Sequence, residues 1–303
     1  MSFLAVILVI VSALLHIGWN YLLKYVRSDN VYMIKVYFLT FLIFCPAFYF
    51  FRDLLPLLKP LIPLLLTTAF CKGLSNWSLV KSYKFGDYSF IYPLKNAMPL
   101  IFSCIWGLII GKAAQVTPWA YGGFLLIFIG CLLMPLKNIK DFSLKNYLNR
   151  SFVFATVSSL ATACYSVIDS DISNKFAAAS DINDFCIAVF LIPVFYFSLA
   201  WFMIPFIWID KKYFRDVKKI DRTKQEYRFI HILIHTLCMS IAYLLVLTAF
   251  IYAENVSYIV AFRQIGMPIS FVIGYFVLKE KIYFGKAWGL IIIIAGLILT
   301  AVL

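Results

Sequence analysis

The chain has 303 residues, of which 63% are hydrophobic and only 14% are charged, and its formal net charge at pH 7 is +13. A soluble domain of this size needs far more polar residues to cover its surface, so the composition excludes an ordinary soluble protein. The seven cysteines are scattered singly, without a C-x-x-C pair or a Cys/His cluster. This pattern indicates small buried side chains, and it argues against a disulfide framework or a metal site.

Ten membrane-spanning helices are predicted in chain order, because apolar runs long enough to cross a hydrocarbon core of about 30 Å recur along the chain. The first run begins at Phe3 without a basic n-region or a cleavage site, so we interpret it as a spanning helix and not as a signal peptide. The predicted spans are 3–23, 32–51, 60–80, 88–111, 118–135, 152–169, 185–209, 229–252, 256–278 and 284–303. The expected fold is an all-α membrane protein.

Lysine and arginine concentrate on one side of these spans. Of the 27 basic residues, 19 follow odd-numbered spans, counting Lys286 with the loop before span 10, and 4 follow even-numbered spans. The other four lie within spans: Lys35, Lys72, Lys95 and Arg263. The positive-inside rule places the basic side in the cytoplasm and both termini outside it, in a multi-pass protein of the cell (inner) membrane. Basic residues beside anionic lipid account for the high charge, so the lipid bilayer is the expected partner and no nucleic acid is expected.

An internal repeat relates spans 4 and 9, with offsets of 167 to 169 positions. The matched residues are Ser89 and Ser257, Lys95 and Arg263, Asn96 and Gln264, Pro99 and Pro268, Gly107 and Gly274, and Gly122 and Gly289. Because five spans per half is an odd number, the second half must cross the membrane in the opposite sense. The predicted organisation is a five-helix repeat at 1–136, a cytoplasmic linker at 137–151 and an inverted five-helix repeat at 152–303. Inverted repeats are typical of secondary transporters with a substrate site near the midplane.

Several segments resemble a known transporter family. Span 1 carries H-x-x-W-N at 16–20, span 4 carries G-D-x-S-x-x-Y-P-L at 86–94, span 6 carries A-C-Y-S-V-I-D at 163–169, and span 9 carries V-S-Y-I-V-A-F-R-Q at 256–264. They are similar to the EamA-type branch of the drug/metabolite transporter superfamily, over nearly the whole chain. The resemblance implies a ten-helix bundle whose central cavity moves small metabolites by alternating access. Two departures stand out: Lys95 replaces the usual arginine, and Lys112 stands opposite Glu280.

Two cations within the spans are the first candidates for a substrate site. Lys95 and Arg263 lie about eight residues into spans 4 and 9, where an ionised side chain costs several kcal/mol unless it faces water or a partner. One hypothesis is that they bind a carboxylate or phosphonate-like group from opposite sides, Arg263 bidentately and Lys95 as a point charge. The alternative is that each pairs internally with an acid such as Asp169, or with carbonyls at proline kinks.

A polar stripe in span 1 is the second candidate. His16, Trp19 and Asn20 recur at i, i+3 and i+4 and are predicted to face inward. His16 is a candidate for proton coupling because histidine titrates near neutral pH, with an interhelical hydrogen bond as the alternative. Asp169, predicted at the end of span 6, is a second coupling candidate, with a solvated helix end as the alternative. Lys72 is expected to extend toward the basic side, with a role in the cavity as the alternative.

The predicted function is secondary transport of a small anionic or zwitterionic metabolite. Export of cationic drugs is an alternative, but it calls for a deep acidic residue, and Asp169 is placed at a span end. A membrane-embedded enzyme is another; His231 and His235 lack a third metal ligand, so no catalytic residue, metal or cofactor is expected. Monomer and homodimer both stay open. The substrate-binding candidates are Lys95, Arg263, Trp19, Asn20, Tyr92, Tyr165, Gln264 and Tyr258.

Overall fold

The protein is mainly helical in the part of the chain that the computed structural model describes, residues 3–26, 28–109, 118–138, 147–213, 227–251 and 265–302, and these ranges contain no strand. A 3₁₀ segment, Arg52–Leu61, precedes α4. The α-helices are α1 (Phe3–Tyr25), α2 (Asn30–Phe44), α3 (Ala47–Phe50), α4 (Ile62–Phe85), α5 (Tyr88–Ile109), α6 (Pro118–Leu133), α7 (Arg150–Ala179), α8 (Asp184–Phe202), α9 (Ile204–Tyr213), α10 (Phe229–Ile251), α11 (Gly266–Phe276) and α12 (Phe284–Val302).

Five helical stretches within the described ranges are long and apolar enough to cross a membrane: Ile7–Tyr25, Asn30–Phe50, Arg52–Phe85, Arg150–Ala179 and Asp184–Lys212. Shorter apolar helices cover Tyr121–Leu133, Phe229–Leu245, Gly266–Phe276 and Phe284–Leu299. The all-α class and the membrane character predicted from the sequence are therefore confirmed at this level.

Helix α7 is longer than the sequence predicted. It continues to Ala179, ten residues beyond the expected end of span 6 at Asp169. The placement of Asp169 at a helix end was therefore wrong. The extension was missed because it is polar, and hydropathy reports burial in lipid rather than helix formation. Its exposed Asp171 and Lys175 form an i,i+4 ion pair of 2.9 Å, as expected for a solvated helix end.

The helices of the predicted first half pack mainly against helices of the second half. The main pairs are α6 with α12, α4 with α7, α1 with α10, α2 with α8 and α5 with α7. Further pairs are α5 with α11, α4 with α8, α2 with α10 and α1 with α11. This arrangement places buried residues of α1 and α5 against the second half of the chain.

Helices α6 and α12 approach each other through glycines. A Cβ atom added at Gly130 would lie 2.7 Å from the carbonyl oxygen of Gly289 and 2.6 Å from Cγ1 of Ile293. A Cβ atom added at Gly296 would lie 2.6 Å from the carbonyl oxygen of Gly123 and 2.8 Å from Cγ1 of Ile127. Small residues of this kind let helix backbones pack closely in a membrane.

Candidate functional site

The polar stripe of α1 faces the protein interior, as its spacing predicted. Trp19 Nε1 donates a hydrogen bond of 3.2 Å to His16 Nδ1, and Asn20 Nδ2 donates one of 2.9 Å to the His16 carbonyl oxygen. The hydroxyl of Tyr83 on α4 donates to Asn20 Oδ1 at 3.1 Å. Trp19 and Asn20 are buried. These bonds fix the orientation of all three side chains of the stripe.

Lys95 of α5 lies against this stripe. Its side chain is only 8% exposed, and its Nζ atom lies 5.5 Å from the centroid of the Trp19 ring, within the range of a cation–π contact. The Tyr92 ring, one turn earlier on α5, lies 6.3 Å from the His16 ring. The structure thus brings together five residues that the sequence singled out on two different spans.

His235 of α10 completes this group and was not predicted as part of it. Its ring stacks on Trp19, with centroids 5.5 Å apart and planes 28° from parallel. We call the group the Trp19 cluster: His16, Trp19, Asn20, Tyr92, Lys95 and His235. His235 is a polar residue inside an apolar span, which is the signal that had drawn attention to His16.

The two histidines of α10, His231 and His235, make separate contacts. His235 Nδ1 lies 3.1 Å from the hydroxyl of Tyr32, whereas His231 Nδ1 accepts from the Arg228 backbone N–H at 3.0 Å. The two rings therefore have different partners. The described ranges contain no group of three or more His, Cys, Asp or Glu side chains that could hold a metal ion.

Three predicted substrate-binding residues, Tyr258, Arg263 and Gln264, lie outside the described residues. The described chain resumes at Ile265, and Gly266 packs into the Trp19 cluster. A Cβ atom added at Gly266 would lie 2.8 Å from the Tyr92 hydroxyl and 3.5 Å from Cγ1 of Ile17. The chain that follows Gln264 therefore enters the protein beside Tyr92.

The other two predicted residues, Tyr165 and Asp169, lie in a separate cluster. Asp169 Oδ2 lies 2.8 Å from Lys72 Nζ, and Thr68 Oγ1 donates to Asp169 Oδ1 at 2.5 Å. The expectation that Lys72 extends toward the basic side is therefore wrong. Asp169 pairs with Lys72 and not with Lys95, because α4 and α7 pack together and bring Thr68 and Lys72 beside the carboxylate. Tyr165 faces the same ammonium, 5.6 Å from its ring centroid.

The start of α5 is capped by a carboxylate from the connection between α11 and α12. Glu280 accepts from the backbone N–H of Tyr88 at 2.5 Å and of Ser89 at 2.8 Å, and from the Ser89 hydroxyl at 2.6 Å. Lys286 pairs with Asp87 immediately before the helix. A carboxylate at a helix N-terminus satisfies backbone donors and complements the helix dipole. This connection therefore binds directly to the start of the helix that carries Lys95.

No protein-family model matches the chain, and no curated protein matches it significantly. What the Trp19 cluster can bind is therefore inferred from its residues alone. It combines an ammonium group, an imidazole, an amide and an indole in one buried place, and such groups can bind a small anion by charge and hydrogen bonds.

Proposed function

We propose that the chain is a ten-span secondary transporter of the EamA type that moves a small anionic or zwitterionic metabolite by alternating access. The observation that carries the proposal is the buried ammonium of Lys95 on the face of Trp19, where α1 and α5 meet α10 and α11. Burying an ammonium group inside a membrane bundle is costly. A cluster that only packed helices together would be more stable with apolar side chains.

The helix contacts support an inverted repeat. In the proposed repeat, α1, α2, α4, α5 and α6 correspond in that order to α7, α8, α10, α11 and α12. When each helix is replaced by its counterpart, the α1–α10 contact becomes the α4–α7 contact. In the same way, the α2–α10 contact becomes α4–α8, and the α1–α11 contact becomes α5–α7. All of these contacts occur. The α2–α8, α5–α11 and α6–α12 contacts map onto themselves, as expected for pairs that lie across a two-fold axis.

The glycine contacts support the same relation at the level of residues. A shift of 166 positions, upward on α6 and downward on α12, converts the contact of Gly130 with Ile293 into that of Gly296 with Ile127. The same shift matches Gly289 with Gly123, one position from the match with Gly122 that the sequence predicted. This agreement favours two five-helix repeats at 1–136 and 152–303, joined by a linker at 137–151. It also favours a substrate site between the repeats, where such transporters bind their cargo.

The Trp19 cluster suits an anionic group. Lys95 supplies positive charge, and Arg263 stands three positions before Gly266, which packs beside Tyr92. Asn20 and Tyr92 supply polar contacts, and Trp19 supplies an apolar wall. A carboxylate or a phosphonate-like group fits this combination better than a cation does.

His16 is positioned to couple a proton to this site. Because Nδ1 accepts the hydrogen bond from Trp19, the neutral ring carries its proton on Nε2. Protonation of Nδ1 would remove the acceptor of the Trp19 N–H and add a positive charge in the cluster that holds Lys95. Binding of a proton would therefore change both the position of Trp19 and the attraction for an anion.

The proposal is tested by thermal melting of the purified protein against organic anions, amino acids and lipophilic cations. A ligand that binds the folded state raises the melting midpoint by mass action. We expect an anion to stabilise the wild type, Lys95→Met to abolish that shift, and Lys95→Arg to retain part of it because it keeps the charge. Unchanged transport in both Lys95→Met and Arg263→Met would reject the proposed site, and stabilisation by cations alone would favour the export of cationic drugs.

A further inference from the structure

A second charged group lies within the bundle, apart from the Trp19 cluster. We call it the Lys72 cluster: Thr68 and Lys72 of α4, Tyr165 and Asp169 of α7, and Phe195 of α8. Lys72 lies ten residues after the start of α4 at Ile62, and Asp169 lies ten residues before the end of α7 at Ala179. The two clusters share no residue.

The ammonium of Lys72 is held as a bound organic cation would be. Its Nζ atom lies 2.8 Å from Asp169 Oδ2, 3.4 Å from the centroid of the Phe195 ring and 5.6 Å from that of Tyr165. Thr68, which is fully buried, fixes the second carboxylate oxygen. One carboxylate with aromatic faces around a single ammonium is the usual arrangement by which proteins bind amines.

The cluster is largely shielded from solvent. The side chain of Lys72 is 12% exposed and that of Asp169 is 22% exposed. Removing one member of such a pair leaves a charge with no compensation in a poorly solvated place. An Asp169 carboxylate without Lys72 would therefore attract another cation strongly.

We propose that the Asp169 carboxylate and the rings of Phe195 and Tyr165 form an organic-cation site that the ammonium of Lys72 itself occupies. By occupying this site, Lys72 excludes free amines and so determines specificity. A free amine would have to displace an ammonium that the chain itself holds at high effective concentration. It would also leave the Lys72 charge unpaired. This deepens the proposed function, because it gives a reason why a transporter with an acid inside the bundle takes anions and not cations.

Chemical rescue tests the proposal. The Lys72→Ala substitution removes three methylene groups and the ammonium, which together correspond to n-propylammonium. We expect Lys72→Ala to melt below the wild type and n-propylammonium to raise its midpoint. At a tenfold excess over Kd, the ratio of folded to unfolded protein rises about elevenfold. Neither n-propanol nor propionate should have this effect, because neither supplies a cation.

Two matched variants separate a built site from a general effect of amines. The double variant Lys72→Ala/Asp169→Asn lacks the carboxylate and should not respond to n-propylammonium. Lys175→Ala removes an exposed lysine from an ion pair on α7, and it should not respond either. An equal response in either variant, or in the wild type, would overturn the proposal.

Folded yield provides a second measurement in case Lys72→Ala is too unstable to purify. Expression and extraction with n-propylammonium present should then restore folded protein. A Lys72→Ala chain that the amine neither stabilises nor restores would show that the pair is only structural. Rescue does not depend on transport, so a failure of the proposed anion site in the wild type would leave this result unaffected.

Discussion

The glycine contact between α6 and α12 gives the sharpest prediction about stability. In Gly130→Ala, the new Cβ would lie 2.6 Å from Ile293 Cγ1, 2.7 Å from the Gly289 carbonyl oxygen and 2.9 Å from the Ile293 backbone nitrogen. Ordinary carbon contacts are 3.5–4.0 Å, so the shortfall is about 1 Å. Two of these three atoms belong to the backbone and cannot rotate aside. The two helices must therefore separate.

Two opposing terms determine how Gly130→Ala changes the free energy of unfolding. Overpacking of this kind costs about 1–3 kcal/mol, whereas replacing glycine by alanine inside a helix gains about 1 kcal/mol. We expect Gly130→Ala to lower the free energy of unfolding by up to about 2 kcal/mol. The control is Gly122→Ala on the same helix, whose Cβ would meet only Leu299 Cδ2 at 3.5 Å, an ordinary contact. That variant should be neutral or slightly more stable.

The assay is the melting midpoint of each purified variant in the same detergent. Gly130→Ala should melt below the wild type and Gly122→Ala should not. Gly296→Ala should behave like Gly130→Ala, because its Cβ would meet Gly123 and Ile127 at comparable distances. A Gly130→Ala variant as stable as Gly122→Ala would show that the close glycine contact does not limit stability. Widely different melting midpoints for Gly130→Ala and Gly296→Ala would weaken the support for the inverted repeat.

Two further predictions concern the cap at the start of α5 and the topology of the chain. Glu280→Ala removes the carboxylate that accepts from Tyr88 and Ser89. It should destabilise the protein by about 2 kcal/mol in the same melting assay. The control is Asp171→Asn, in an exposed ion pair, which should change the stability little. A single-cysteine tag at either terminus of an otherwise cysteine-free variant should react with a membrane-impermeant thiol reagent in intact cells, because the proposed ten spans would place both termini outside the cytoplasm. A C-terminal tag that reacts only after permeabilisation would contradict that topology.

The sequence predicted those features that follow from periodicity and hydropathy. The apolar helices, the inward stripe of His16, Trp19 and Asn20, and the burial of Lys95 all depend on the pattern along one helix. Each can be predicted from the sequence of one helix alone, because a polar residue inside an apolar span is costly unless it faces the interior. His235 satisfies the same rule, but its spacing of four residues from His231 suggests a pair of metal ligands instead.

The pairing of Lys72 with Asp169 could not be predicted from the sequence. The two residues are 97 positions apart, and their contact depends on the vertical alignment of α4 against α7. Hydropathy gives the position of each helix in the membrane only to within several residues, which is more than one helical turn. It also ended span 6 at Asp169, since the polar turns that follow are helical without being apolar. Both errors have one cause, which is that hydropathy does not report contacts between helices.

An inverted repeat with identical halves would carry a carboxylate at both of two matched positions, and this sequence carries one in the second half alone. Glu280 caps α5 at one end, whereas the matched position in the first half is Lys112, which lies outside the described residues. Under the proposed alternating access, the conformation that forms the Glu280 cap is favoured over one that breaks it by the worth of that cap, about 2 kcal/mol or about 30-fold in population. Because the cap is at the start of the helix that carries Lys95, opening this end must break it. Without substrate, the proposed transporter should therefore be closed at the basic end, where Glu280 caps α5. An anion that opens this end must bind the open state more tightly than the closed state by at least that factor.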